Sequence, residues 1–452
     1  MMQRDACGYE VSIDCAGALK RWDRTVAGFL CHSSATPQHL GDTLNLAPEF
    51  ALGWAAKGLF YMLLGRAELV AVARESLKNA ERAVARAGVT PRERGYLEAL
   101  RHYTNGRLWR AAEVLSDIAA DHPGDLLAVK IDHAIRFILG DRRGMLKQMR
   151  IAMDWLDERH PYYGYALGCK AFALEENGHY AEAEHCGRRG MELAPDDAWG
   201  LHAVAHVYDM TAQNATGVHW LEAQQTAWAH CNNFGYHVWW HLALFHLERG
   251  DYERVIELYD SRVRHEHTDD YRDIANGAAM LVRLEIEGID VGDRWDELAD
   301  LAANRVEETS VVFADLHYLL SLHGGRRDRE AERMINRLAA DAQRSDHDMH
   351  EVAHLAGLPT AFGLAAFRAG NYARAFDALR AAHPMLQRVG GSHAQRDVFS
   401  RLLIEAGIRA GRYDDADAEL DARTARRGAE DGFTARRREA ISRLRVPGLA
   451  AQ

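Results

Sequence analysis

Proline is scarce in this chain, nine in 452 residues, and β-branched residues are few beside Ala, Leu, Glu and Arg. Both shortages favour helix over sheet. No apolar run reaches the ~18–20 residues that cross a bilayer. The opening residues, MMQRDACGYEV, lack the apolar core of a signal peptide. Positive charge is not in excess: the net charge is −11. That argues against broad nucleic-acid binding and against docking on an anionic membrane. The basic stretches from Arg326 and Thr434 are interleaved with acids and read as solvated helix faces. Paired cysteine spacing is also missing. The six cysteines (7, 15, 31, 169, 186 and 231) form no CxxC, so free thiols and a cytoplasmic location are expected. Without a Walker motif, GxGxxG or GxSxG, nucleotide hydrolases and serine hydrolases have no support.

What is present is a repeat. The phrase Gly-x-Tyr-x-x-Ala begins at Gly178, Gly370 and Gly411, with variants at Gly250 and Gly106. Gly106, Gly178 and Gly250 stand 72 residues apart, as do Pro123 and Pro195, and Pro161 lies between the two prolines. The unit is therefore about 34–38 residues long, which is the tetratricopeptide pattern. Glycine ends the first helix in a backbone conformation that it adopts cheaply. A small alanine lets the second helix approach, and proline stops it. The expected fold is all-α, a tetratricopeptide-like helical-repeat superhelix (an α-solenoid). It would have a mixed helical segment over 1–40, roughly six to nine pairs in one domain over 41–425, and a charged, frayed tail over 426–452. Gly288 and Gly292 suggest an irregular connector near 262–300. Thr36-Pro37 reads as a helix start.

The repeat register places polar residues on inward faces. With the turn glycine as position 15, units start at Gly164, Ala198 and Tyr236, although no glycine stands at the turn of the middle one. His202, His206 and Asp209 then fall on the groove-facing side of one first helix. His237, Trp240 and His241 fall on the next, with Trp239 as the buried packing aromatic. Tyr165 and Cys169 take the matching face of the preceding helix, and a later helix adds Asp315 and His317. Histidines at i, i+4 suit proton transfer, a polar ligand or a metal. A single such histidine more often satisfies packing and hydrogen bonds.

Two other motifs are weaker. His350-Glu351-Val352-Ala353-His354 matches HExxH, but Thr360 stands where a third histidine is wanted, and no glutamate follows before Glu405. The match reads as coincidence. Ser392 and Gln395 form a capping box after Gly390-Gly391. A glycine pair before a helix can also hold an anion, with Arg396 helping.

The segments DAWGLHAVAHVYDM, HVWWHLALFHLERGDYERVIELYD, LVRLEIEGIDVGDRW, FADLHYLL, HLAGLP and GGSHAQRDVF occur in this order. Together they resemble the tetratricopeptide repeat protein 38 family over roughly residues 30–410. The resemblance implies an all-helical array. It also highlights His202, His206, His237, His241, Asp315, His317 and the segment from Gly390, without bringing an established reaction. At His354-Leu355 the family pattern reads Arg-Asp, so the HExxH is particular to this chain.

The resulting expectation is a histidine-lined concave pocket for a small polar ligand, with acid/base work by His202, His206, His237 and His241. Asp315 would orient a histidine, and Arg396 would hold an anionic group. The contacts would be Trp240, Tyr165, Cys169, Asp209, Ser392 and Gln395. The rivals are a peptide-binding scaffold and a metal-dependent enzyme using the same histidines. No cofactor is otherwise expected, nor a nucleic-acid or membrane partner.

Overall fold

Left-handed turn residues punctuate the chain. Gly65, Gly106, Gly140, Gly178, Ala212, Gly250, Gly288, Arg326, Gly370 and Gly411 have φ between +55° and +82°, and successive ones stand 34 to 44 residues apart. Each joins two helices. The first pair is Ala51–Leu63 with Ala67–Ala87, and the last is His393–Arg409 with Tyr413–Arg427. The structure is a computed structural model and describes residues 2–307 and 311–445. Among them the repeat runs to ten such pairs, more than the six to nine expected. The chain is a tetratricopeptide-like helical-repeat protein. No helix of the described residues is long and apolar enough to cross a membrane.

Small residues set the spacing within a pair. A Cβ on Gly190 would come within 2.8 Å of the Gly164 carbonyl oxygen, and one on Gly164 within 2.7 Å of Ala194. The helices Tyr163–Glu176 and Tyr180–Leu193 approach closely because neither residue has a side chain there.

The chain divides into two compact units. The first comprises Met1–Val204, Gln224–Gly235 and Ser345–Met349; the second comprises Ala205–Ala223, Tyr236–Arg344 and His350–Gln452. Within the first, residues 3–4 and 10–11 pair as an antiparallel hairpin ahead of the helix Ala16–Leu30. The hairpin is tied down by Arg92, which bridges Asp5 and Asp125 while buried. The helix Thr36–Leu46 begins where Thr36-Pro37 predicts. Thr36 does not cap it, however; its hydroxyl donates to the Ser33 carbonyl.

Two expectations for the second unit need correction. The supposed connector near 262–300 is a π-turn at Tyr259–Val263 followed by an ordinary pair, Tyr271–Ile286 and Arg294–Ala303. Gly288 is its turn rather than a breaker. The tail is not frayed through residue 445; residues 446–452 lie outside the described residues. A final helix, Gly432–Arg445, seats Phe433 in the core. Arg423 bridges Asp397 and Asp431, and Arg436 and Arg437 pair with Glu287. Charge there is a set of buried and half-buried ion pairs, so high polarity does not mean disorder.

Candidate functional site

His206, His237 and His241 come together inside the second unit. His206 lies on the helix Ala198–Met210, and His237 and His241 lie on Phe234–Arg249. One helical turn brings the Nε2 atoms of His237 and His241 to 3.3 Å. The rings of His206 and His241 are 4.4 Å apart, centre to centre. Each of the three offers a nitrogen, and these nitrogens lie within 4.8 Å of one another. Below them Trp240 is completely buried, and His237 stacks on it at 5.3 Å and 17°. The two tryptophans exchange expected places: Trp240 packs inward, while Trp239 lies under the Arg262 guanidinium.

Over the Trp240 ring sits Arg283, 5.5 Å from its centre and only 1% exposed. Its guanidinium donates to the carbonyls of Ala279 and Ala394, and its Nε has no partner. The nearby carboxylates of Glu248 and Asp397 are held by Arg401. Arg283 is thus a buried cation with no carboxylate of its own among the described residues. Burial, with the Arg401 charge second, pulls its pKa down to about 9. An unpaired buried cation is costly.

The imidazoles respond to the same surroundings. Burial takes His237 down to about 4, partly opposed by Asn276 against it. Burial, then the charges of His206, His237 and Arg283, hold His241 well below the usual range. Both shifts favour the neutral ring, in which one nitrogen carries a hydrogen and the other a lone pair. Asn276 accepts from the Gln395 side chain at 3.3 Å.

The remaining candidates divide. Ser392 and Gln395 form the predicted capping box, closing the start of His393–Arg409. His317 is buried between Phe313 and Phe399 and donates its Nδ1 hydrogen to the Phe313 carbonyl. Asp315 is buried and pairs with Arg337. Arg396 spends its donors on Gly390, Gly391 and Gln387, so its role is to hold the glycine loop. Asp209 is buried and pairs with Arg427.

In the first unit His202 is 2% exposed and stacks on Phe172, with Trp199 and Phe234 at its edges. Tyr165 donates to Asp196. Cys169 is buried, and burial pushes its thiol up. The HExxH lettering makes no metal site. His354 and Glu351 are exposed, Glu351 pairs with Arg388, and a π-turn at Ala353–Gly357 breaks the i, i+4 geometry.

Sequence reasoning missed Arg283 and Asn276. Both lie on Tyr271–Ile286, inside the stretch read as a connector. The available signal was one arginine within the apolar run AAMLVRLEI.

No protein-family model matches the chain. Among solved structures it is similar to human IFIT1, determined as a dimer with PPP-AAAA. That match has 15% identity and a TM-score of 0.42, covering 83% of this chain and 87% of that one. It is also similar to yeast Tom70, at 11% identity and a TM-score of 0.37, covering 95% and 90%.

Proposed function

We propose that the interior of the second unit binds a small polar ligand carrying an anionic group. Arg283 takes the anion, and His206, His237 and His241 contact and exchange protons with the rest. The observation that carries this reading is Arg283 itself, a buried guanidinium over Trp240 without a carboxylate counterion among the described residues. A ligand anion would supply the missing charge in a low-dielectric setting, where such a pair is strong. His237, half-buried, is the member of the group nearest to solvent. The ordered resemblance to the tetratricopeptide repeat protein 38 family belongs to the same proposal. It makes this chain a member whose site is built on the family's histidines.

Native mass analysis of protein purified under mild conditions, followed by a thermal-shift screen of small carboxylates and phosphates, tests it. A hit should raise the melting temperature of wild type and lose that effect in Arg283→Met. Stabilisation only by extended peptides, unaffected by Arg283→Met, would favour a peptide scaffold instead.

A further inference from the structure

We infer that His206, His237 and His241 supply ligands to a site for a divalent first-row metal ion of the zinc class. The inference deepens the reading above, since the metal would lie in the same interior. It rests on separate atoms, because Arg283 is not a ligand.

The spacing carries the argument. Two nitrogens bound to one tetrahedral zinc at about 2.0–2.1 Å are themselves about 3.3–3.4 Å apart. The Nε2 atoms of His237 and His241 stand at 3.3 Å. The nitrogens of the three residues fall within 4.8 Å of one another. A hydrogen bond between two imidazoles would explain one contact at this distance. It does not explain why a third imidazole is brought 4.4 Å from the second in the same interior.

The donor set points to the metal class. Three neutral nitrogens suit zinc, cobalt, nickel, copper or iron, and they suit calcium or magnesium poorly because those ions prefer oxygen. The i, i+4 pair on Phe234–Arg249 gives two ligands from one rigid element. The third comes from another helix, so the ion would also lock those two helices together.

The test uses full-length protein stripped with a chelator and titrated with cobalt or zinc alone. The expected result is one equivalent bound with micromolar or tighter affinity, ligand-field bands of tetrahedral or five-coordinate cobalt, and a higher melting temperature with zinc. His241→Ala and the milder His237→Gln should each weaken binding by at least about 100-fold, the upper end of what losing an outer-shell partner costs. Their helical circular dichroism reports whether they fold. His354→Ala should bind as wild type does. The proposal is overturned if wild type takes up no metal at micromolar concentration, if a folded His241→Ala or His237→Gln binds unchanged, or if His354→Ala is the variant that loses the ion. Metal uptake without Arg283-dependent anion binding would sink the ligand reading and leave this site standing. Anion binding without metal would do the reverse.

Discussion

Arg283 is the residue at which function and stability pull apart. It is buried, its nearest carboxylates belong to Arg401, and the two carbonyls it reaches lie on helices that already use them. Replacing such a cation with an apolar side chain of similar length removes a desolvation cost and breaks no ion pair. Arg283→Met is therefore expected to be neutral or to stabilise the protein by about 1–3 kcal/mol, read as a higher urea midpoint at unchanged slope. An Arg283 that carried a structural ion pair would instead lose several kcal/mol on substitution. Residues like this are hard to find in a sequence. His206, His237 and His241 were legible because repeat spacing fixes which helix faces are shared. Arg283 had no such handle, since a lone charge in an apolar run has the same lettering whether it snorkels to water or is sealed inside. Asp315 and Asp209 show a related effect: spacing put them on the expected helices but could not reveal the arginines, Arg337 and Arg427, that pair with them.

At the level of the helix pair, the turn residue is what the sequence shows most clearly, and its exceptions are informative. Counting 34 residues per unit puts a turn at Ala212 with no glycine present. Ala212 nevertheless adopts φ +55°, and Arg326 does the same at +57°. Both carry a Cβ into a backbone region that costs a residue with a side chain roughly 1–2 kcal/mol. The helices on either side, Ala198–Met210 and Asn214–Glu222, thus enforce a turn that their own connecting residue resists. Ala212→Gly should relieve that strain, less the greater freedom that glycine gains when unfolded. The expected net gain is about 0.5–1 kcal/mol, measured by denaturant unfolding. The mirror change, Gly178→Ala at φ +82°, should cost a similar or larger amount. Two turns without glycine, and Gly288 mistaken for a breaker, explain why only six to nine pairs were counted. The motif follows glycine, whereas the fold follows the left-handed turn.

Across the whole molecule the two units differ in acid sensitivity. The second buries His317 and His323, each brought down to about 4 mainly by burial. The unfolded chain takes these protons near pH 6.5. Their contribution is complete above ~6.5 and is lost as pH falls through ~4, at up to about 1.4 kcal/mol per pH unit for each group. Below the ordinary carboxylate range the same unit loses more. Asp397, held well below its usual value against burial by Arg423 and Arg401, must then be protonated. Glu285 and Glu419, pushed up by burial, act in the opposite direction. The first unit is balanced differently. His133, lowered to about 3 by burial and Lys130, acts in the same direction. Asp132 and Asp197, both raised to about 7 by burial, act against it. In the folded state they hold protons between about pH 4 and 7 that the unfolded chain releases, so folding gains as pH falls through that window. Acidification of chelator-treated protein from pH 7 to 5 should therefore loosen the second unit first. In hydrogen exchange corrected for its intrinsic pH dependence, peptides from Tyr271–Ile286, Val312–Gly324 and His393–Arg409 should lose protection, while those from Leu126–Ile138 and Tyr163–Glu176 keep theirs. Equal loss in both units, or earlier loss in the first, would mean that the buried carboxylates of the first unit remain charged and that the balance of histidine and aspartate does not set its acid stability.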